Sequence, residues 1–141
     1  MEALNFEGEL AVVIGKTAKH VAADAAYDHI LGYTVANDIT SFAVLNEDGF
    51  SSISSRFKLY DDFFPLGPWI ETDMRPEELR LRTYLNDEIK QDAALADMAF
   101  GLPDVIAWIS AVMTLHPGDV ISMGTPPGFV PMARGDVVQA G

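Results

Sequence analysis

The sequence predicts a β-rich α+β domain, and three observations carry this prediction. Apolar or alternating runs of strand length recur along the chain, whereas helical patterns are confined to two short stretches. The strand-like runs are not separated one by one by helices, as they would be in a βαβ array. The chain has 141 residues, of which 49% are hydrophobic, so it can bury the core of one domain and is not expected to be disordered.

Charge and cysteine content narrow the class of protein further. A formal net charge of −12 argues against nucleic acid and anionic membranes as partners. An anionic small molecule can still bind where a metal ion or local cations reverse the field. The absence of cysteine excludes disulfides, thiolate nucleophiles and cysteine zinc sites. No apolar stretch has transmembrane length and no signal peptide opens the sequence, so we expect a cytoplasmic protein.

The first half of the chain predicts two strands, a helix and a loop. Residues 9–14 form an unbroken apolar, β-branched run that is typical of a buried strand. The Ala-rich residues 21–30 predict a short helix. Residues 33–35 predict a strand that delivers two polar residues to its end. Ser, Gly and Asp residues within 46–55 predict a mobile loop.

The second half begins with a predicted hairpin. Residues 66–70 predict a turn that enters a strand. Apolar and polar residues alternate over 79–85, which predicts a half-buried strand. Asn86 and Asp87 then predict a tight turn into a second strand at 88–91.

A helix and a few short elements complete the predicted fold. Pro103 suits the first position of a helix, and helical spacing of apolar residues continues to residue 115. A Pro-Gly pair at 117–118 ends this helix. A strand, a Gly/Pro-rich loop and the beginning of a last strand follow, at residues 120–123, 124–128 and 137–138.

Three carboxylates are the most informative feature of the sequence. Glu7 and Glu9 flank one glycine at the head of the first strand, and side chains two apart on a strand share a face. Two anions held so close repel unless a cation or a proton intervenes. Asp38, at the end of the next strand, is the third carboxylate. A hard divalent cation takes such oxygen ligands, so we expect a metal site; a solvated strand edge is the alternative.

Six stretches carry a resemblance to a known family. They are FEGELAVVIG at 6–15, GYTVAND at 32–38, KLYDDFFPLGPWI at 58–70, LRTYLNDEIKQ at 81–91, MTLHPGDVI at 113–121 and Gly-Thr-Pro at 124–126. None of them is specific alone, but together, in this order and over almost the whole chain, they resemble the fumarylacetoacetate hydrolase family. The resemblance is to its branch of C–C hydrolases, decarboxylases and isomerases of 2-oxo acids.

The resemblance implies a fold and a metal site. The fold is a mixed β-roll of the fumarylacetoacetase C-terminal type, usually assembled as a homodimer. The metal is Mg²⁺ or Mn²⁺, and its ligands in the family are the two glutamates of Glu-x-Glu and the aspartate of Asn-Asp. These map onto Glu7, Glu9 and Asp38 of this sequence.

The resemblance also implies catalytic and substrate-binding residues. The family's lysine upstream of Pro-Leu-Gly-Pro maps onto Lys58, which would place a positive charge beside a developing oxyanion. Thr125 is the second candidate catalytic residue; it and Gly124 would bind a substrate carboxylate, Thr125 through its hydroxyl and backbone N–H. The alternatives are a surface lysine at position 58 and an ordinary turn residue at position 125. The implied substrates chelate the metal through a keto and a carboxylate oxygen, and the metal stabilises their enolate.

One departure from the family pattern concerns the substrate. Relatives carry an arginine and a glutamine soon after Asn-Asp, and both contact substrate. Phe42 stands in place of the arginine and Leu45 in place of the glutamine. An apolar ring therefore replaces an anion-binding group, which favours a more apolar substrate. Arg56 is a candidate to compensate for the missing charge.

A second departure concerns the ends of the chain. Relatives carry an N-terminal segment, often with a lid that activates water, and continue for another strand or two. We therefore expect residues 1–141 to be a single catalytic domain that lacks this segment and the final strands, and that is truncated at both ends. Without a lid, decarboxylation and keto-enol isomerisation are retained more easily than hydrolysis, since they need only enolate stabilisation and proton transfer.

Two function classes follow from these observations. The first is a metal-dependent enzyme that hydrolyses, decarboxylates or isomerises a 2-oxo acid. The second is a degenerate, non-catalytic member of the family that acts as a metal-stabilised partner subunit. The three carboxylates and Lys58 favour the enzyme, whereas Phe42 and the absent lid favour the subunit. An unrelated acidic binding domain is the third and weakest possibility.

Overall fold

The computed structural model describes residues 4–49 and 55–140 and contains three small β-sheets and two α-helices in that part of the chain. The strands are β1 (Leu4–Asn5), β2 (Gly8–Ile14), β3 (Ile30–Asn37), β4 (Thr40–Ser41), β5 (Leu66–Glu71), β6 (Arg80–Leu85), β7 (Glu88–Ala94), β8 (Val120–Ser122), β9 (Pro131–Met132) and β10 (Val138–Ala140). The helices are α1 (Phe42–Asp48) and α2 (Leu102–Val112), and short 3₁₀ turns occupy Ala23–His29, Arg56–Lys58, Pro76–Glu78 and Leu95–Asp97.

Strand β2 is the centre of the largest sheet, whose strand order is β5-β3-β2-β8. Each of its seven residues is buried, in agreement with the continuous apolar run in the sequence. It pairs antiparallel with β3 over its whole length and with β8 near its middle. The other sheets have the orders β10-β6-β7 and β4-β1-β9, and the described pairings are antiparallel in these as well. A β-rich α+β fold is thus confirmed.

Alternation along β2 determines which side chains enter the core. Leu10, Val12 and Ile14 belong to the main buried cluster, whereas Glu9 points to the other face. Helix α2 packs against this cluster and contributes two apolar side chains one turn apart. The cluster comprises Leu10, Val12, Ile14, Ala18, Ala26, Tyr33, Leu81, Leu95, Leu102, Ile106, Leu115 and Ile121.

The predicted hairpin is confirmed, and it contains a feature that the sequence did not predict. Asn86 and Asp87 both have positive φ, which is the conformation of the tight two-residue turn. Thr83 is opposite Gln91, but the next pair joins Tyr84 to Ile89. Position 90 is therefore an extra residue, and the resulting β-bulge sets the direction of the neighbouring side chains.

Helix α1 corrects the prediction of a loop at 46–55. Residues Asn46 to Asp48 are its last turn, while residues 50–54 lie outside the described part of the chain. The helix begins because the Ser41 side chain accepts a hydrogen bond from the Val44 N–H at 3.5 Å, as an N-cap. Ser, Asn and Asp are common both in loops and at helix ends, which is why composition alone pointed to a loop.

Helix α2 ends three residues before the predicted position. Pro103 lies in its first turn, as expected, but the last helical residue is Val112. Leu115 instead forms a β-bridge with Ala18, with both N–H···O distances at 2.9 Å. This tertiary pairing extends the backbone before the Pro-Gly signal is reached. Among the described residues, no helix is long and apolar enough to cross a membrane.

Gly8 allows β2 to approach β6 closely, and its substitution should be destabilising. A Cβ at position 8 would lie 2.1 Å from Thr83 Oγ1 and 3.3 Å from Thr83 Cβ. We expect Gly8→Ala to lower the free energy of unfolding by about 1–3 kcal/mol in urea titrations, because the packed interface must shift. Gly101→Ala is the control, since its Cβ would meet nothing closer than 3.5 Å. Equal stability of both variants would contradict the close packing at Gly8.

Candidate metal centre

The ends of two paired strands bring the three predicted carboxylates together. Glu7 precedes β2, Glu9 lies within it, and Asp38 follows β3. The Asp38 N–H donates to the Glu7 backbone oxygen at 2.9 Å, which continues the β2–β3 pairing past the strand ends. One oxygen from each carboxylate lies within 4.8 Å of the others. The convergence that the sequence predicted is therefore present.

Glu9 is the most buried of the three carboxylates, with 3% of its surface exposed. Its Oε2 accepts a hydrogen bond from the Ser122 hydroxyl and another from the Gly124 N–H, the latter at 3.0 Å. Burial raises the pKa of Glu9 above its usual value; the two hydrogen bonds oppose this rise, and the neighbouring Asp38 and Glu7 add to it. A cation beside this carboxylate would favour its charged form.

Lys58 lies between the other two carboxylates. The turn Arg56–Lys58 places its ammonium where it donates to Glu7 Oε2 at 2.9 Å and to Asp38 Oδ2. Burial acts to lower the pKa of Lys58, but the hydrogen bonds to Asp38 and Glu7 outweigh it, and the pKa is raised. Lys58 is thus held as a cation at the cluster and is not a solvated surface lysine.

Two neighbouring polar side chains fix the orientation of Glu7. The Thr40 hydroxyl donates to Glu7 Oε1 at 2.9 Å, and the Asn37 side-chain oxygen accepts from the Glu7 N–H at 2.9 Å. With Lys58 on Oε2, both carboxylate oxygens of Glu7 therefore have partners. Such hydrogen bonds hold a carboxylate in one rotamer before a ligand binds.

The Gly124–Thr125 segment lies against the strand that carries the glutamates. The Gly124 N–H contacts Glu9, as described above, and the Thr125 hydroxyl donates to the Gly8 backbone oxygen at 2.9 Å. The Thr125 hydroxyl also accepts a hydrogen bond from Gln91 Nε2 at 2.8 Å. The proton of the Thr125 hydroxyl is therefore directed to the protein backbone.

Phe42 begins α1, directly after the segment that contributes Asp38 and Thr40. Its ring stacks on Phe129, with centroids 6.3 Å apart and planes inclined by 23°. Arg56, the suggested replacement for the missing arginine, instead pairs with Asp48 at 2.6 Å and with Glu47 at 3.4 Å. Phe42, in the segment following Asp38, thus forms an aromatic pair with the distant Phe129, and the Arg56 guanidinium is engaged with the end of α1.

Several neighbours of the cluster were not found by sequence reasoning. Ser122 was within a predicted strand, but its contact with Glu9 depends on how β8 pairs with β2. Thr40 follows the Asn-Asp pair by two residues, a spacing that could have suggested it. Gln91 ends one of the six motif stretches, but neither Gln91 nor Phe129 was singled out, because their partners are far away along the chain.

The donor set of this cluster fits a hard divalent cation. It consists of three carboxylate oxygens that all lie within 4.8 Å of one another. Mg²⁺ and Mn²⁺ prefer oxygen ligands and keep further positions for water or substrate. Two of the carboxylates are paired with Lys58, so a bound ion would share that negative charge with the ammonium.

The chain belongs to the fumarylacetoacetate hydrolase family. The family model described as Fumarylacetoacetate (FAA) hydrolase C-terminal matches residues 1–141. The bifunctional isomerase/decarboxylase of 4-hydroxyphenylacetate degradation from Salmonella dublin is 40% identical over 141 residues, which cover 98% of this chain and 32% of that protein. The resemblance stated from the sequence motifs is thus confirmed, and so is the fold type it implied.

Solved structures show the same fold. That of 5-carboxymethyl-2-hydroxymuconate delta-isomerase from Mycobacterium smegmatis is 43% identical with a TM-score of 0.92, and the match covers 98% of this chain and 54% of that one. Maleylpyruvate hydrolase from Sphingobium sp. SYK-6, solved with manganese(II) ion and pyruvate, is 36% identical with a TM-score of 0.88, over 99% of this chain and 50% of that one. The chain thus spans about half the length of these two proteins.

Metal binding should stabilise the fold through this cluster. At about 100 times its dissociation constant, Mn²⁺ is expected to add about 2.7 kcal/mol to the free energy of unfolding. Glu9→Ala should abolish the Mn²⁺-dependent rise in Tm, because it removes the central carboxylate. Glu88→Ala is the control, since Glu88 pairs with Lys90 on the exposed side of β7. A full Mn²⁺-dependent rise in Glu9→Ala, measured by calorimetry, would place the stabilising ion elsewhere.

Proposed function

We propose that this chain carries the active centre of a divalent-metal-dependent enzyme that acts on a 2-oxo acid. The reaction is C–C bond hydrolysis, decarboxylation or keto-enol isomerisation. The observation that carries the proposal is the convergence of Glu7, Glu9 and Asp38, two of which, Glu7 and Asp38, are paired with the Lys58 ammonium. The named relatives add support, since they are an isomerase/decarboxylase, an isomerase and a hydrolase. A small-molecule substrate follows from this proposal, and a homodimer in the cytoplasm remains our expectation.

Glu7, Glu9 and Asp38 are the proposed ligands of Mg²⁺ or Mn²⁺. Once bound, such an ion would act as a Lewis acid on the substrate's keto and carboxylate oxygens and stabilise the enolate. The chain's own part is to hold the carboxylates in place: Ser122 and the Gly124 N–H orient Glu9, and hydrogen bonds to both of its oxygens orient Glu7. This preorganisation reduces the rearrangement needed when the ion and substrate bind.

Lys58 is the proposed catalytic cation. Its ammonium lies at the carboxylate cluster and is only partly exposed, with 29% of the side chain accessible. A positive charge in such a place stabilises negative charge that develops on a neighbouring oxygen more strongly than it would in water. In the metal-free protein, the hydrogen bonds to Asp38 and Glu7 raise the pKa of Lys58 and favour its charged form.

The proposed substrate carries an apolar group on the side away from its 2-oxo acid end. Phe42 is the proposed contact for this group, and the ring of Phe129 stacked on it widens the apolar surface. Thr125 is the proposed contact for the substrate carboxylate through its backbone N–H, whereas the N–H of the neighbouring Gly124 is engaged with Glu9. Thr125 and Phe129 lie in the same loop between β8 and β9, so one segment would provide both the carboxylate contact and the apolar contact.

The alternative function is a non-catalytic, metal-stabilised partner subunit. The replacement of the family's arginine and glutamine by Phe42 and Leu45 is the observation that favours it. Activity assays separate the two functions. Oxaloacetate decarboxylation and acylpyruvate cleavage are each measured with and without Mg²⁺ or Mn²⁺. Oxalate is added as an inhibitor. Metal-dependent turnover with competitive inhibition by oxalate supports the enzyme. Metal-dependent stabilisation with neither turnover nor oxalate binding supports the subunit.

Lys58→Met should separate the charge of the lysine from the packing of its stem. We expect kcat to fall by about 100-fold, as when a group that stabilises an oxyanion is removed, with a smaller change in KM. Mn²⁺ affinity should be retained or increased, since the ammonium no longer competes for Glu7 and Asp38. The control is Lys16→Met, an exposed lysine beyond the far end of β2. An unchanged kcat in Lys58→Met would remove Lys58 from the catalytic groups.

Phe42→Arg should shift substrate preference toward compounds with a second carboxylate. An arginine at this position would supply a bidentate anion-binding group in place of an apolar ring. We expect kcat/KM for a substrate with a distal carboxylate to rise at least tenfold relative to an alkyl analogue. Trp108→Arg controls for added charge, because Trp108 is 72% exposed on α2. An identical preference in both variants would mean that Phe42 does not contact the substrate.

A further inference from the structure

Gln91 is a fully buried polar residue of β7 that lies behind the candidate metal centre. None of its surface is exposed. Its Oε1 accepts from the Gly8 N–H at 3.1 Å, and its Nε2 donates to Thr125 Oγ1 at 2.8 Å and to the Pro126 backbone oxygen at 2.7 Å. A buried amide that makes three hydrogen bonds to two distant segments is costly to disturb.

The orientation of this amide follows from its partners. The Gly8 N–H can only donate and the Pro126 oxygen can only accept, so Oε1 and Nε2 of Gln91 cannot be exchanged. Because Nε2 donates to Thr125 Oγ1, the Thr125 hydroxyl sends its own proton to the Gly8 oxygen. Gln91, Thr125 and both polar groups of Gly8 therefore form a closed ring of hydrogen bonds.

This ring holds the residue between the two glutamates. Gly8 separates Glu7 from Glu9, so the position of its peptide groups fixes the direction in which both carboxylates leave the chain. The same ring holds the loop whose Gly124 N–H contacts Glu9. Strand and loop are thus joined on the side of Gly8 away from the carboxylates.

The β-bulge of β7 explains why Gln91 reaches this position. Lys90 is the extra residue of the bulge, and its backbone oxygen packs against Gly128 at the other end of the loop. A Cβ on Gly128 would lie 2.0 Å from that oxygen, and φ there is +109°, so glycine is required. The loop is therefore fastened to β7 by two adjacent residues, Lys90 through its backbone and Gln91 through its side chain.

We propose that Gln91 is a positioning residue for the metal centre: its hydrogen-bond ring with Gly8 and Thr125 sets the geometry of Glu7 and Glu9 before a cation binds. This proposal rests on the metal site of the proposed function but not on turnover. Gln91 touches neither a carboxylate of the cluster nor the proposed substrate contacts other than Thr125. It acts through the backbone of Gly8, and its loss should weaken metal binding beyond any general loss of stability.

The test measures Mn²⁺ affinity by calorimetry and exchange of the Gly8 amide in metal-free protein by NMR. Gln91→Met keeps an unbranched side chain and removes the ring, and Thr125→Val removes the hydroxyl alone. We expect each to raise the Kd for Mn²⁺ about tenfold and to accelerate Gly8 exchange, as is typical when groups supporting metal ligands are removed. The double variant should bind Mn²⁺ no more weakly than the weaker-binding single variant, because both substitutions break the same ring of hydrogen bonds.

Thr83→Val is the matched control. Thr83 is buried beside Gly8, lies opposite Gln91 in the hairpin and is outside the ring; its hydroxyl has no hydrogen-bond partner among the described residues. The Kd of Thr83→Val for Mn²⁺ should stay within twofold of the wild-type value. A wild-type Kd in Gln91→Met, with accelerated Gly8 exchange, would overturn the proposal.

The remaining outcomes also separate this proposal from the proposed function. If Gln91→Met does not fold, Thr125→Val decides by the same criteria. If the wild type binds Mn²⁺ without turnover and the variants bind it more weakly, the positioning role of Gln91 is supported and the proposed enzymatic function is overturned. No Mn²⁺ binding in the wild type overturns both.

Discussion

The register between β2 and β3 is the constraint on which the candidate metal centre depends. Gly8 is opposite Asn37 and Glu9 is opposite Ala36, so the ends of both strands arrive at one place. A slip of one residue in β2 would send Glu9 into the apolar cluster and Leu10 out of it. Burial on both faces of β2 makes such a slip costly, and the apolar packing of the domain thereby specifies the position of its charges.

The same arrangement concentrates negative charge where water is scarce. Glu9 is nearly inaccessible and has two carboxylate neighbours, and its raised pKa reflects the burial that this position imposes. The protein offsets this cost with directed donors from Ser122 and Gly124 and with the Lys58 ammonium beside the other two carboxylates. A structural centre alone would be more stable with apolar residues here, since buried charges rarely add net stability. The presence of these charges therefore supports the metal site proposed above.

Sequence patterns predicted the parts of this fold that depend on local chemistry. The buried strand, the Asn86–Asp87 hairpin and the start of α2 at Pro103 follow from residue types and their spacing. The order of the motifs predicted the family, and the family's ligand pattern identified the three carboxylates as one set. The last turn of helix α1 was missed because its Asn46 and Asp48 are equally typical of a loop and of a helix end.

Other features could not be predicted, because they depend on contacts between distant segments. The end of α2 is set by the bridge between Leu115 and Ala18. The roles of Ser122 and Gln91 arise from how β8 and β7 lie relative to β2, which no local pattern encodes. Prediction from sequence was therefore strongest for the residues of the centre and weakest for the residues that hold them in place.

The candidate centre is assembled from segments that are far apart along the chain, and this has a kinetic consequence. Glu9 hydrogen-bonds to partners 113 and 115 residues away, and Lys58 is 51 residues from Glu7. Closing such long loops carries an entropy cost that only a largely formed core can offset. The cluster should therefore be absent from the folding transition state. A cation bound there would slow unfolding and leave the folding rate almost unchanged.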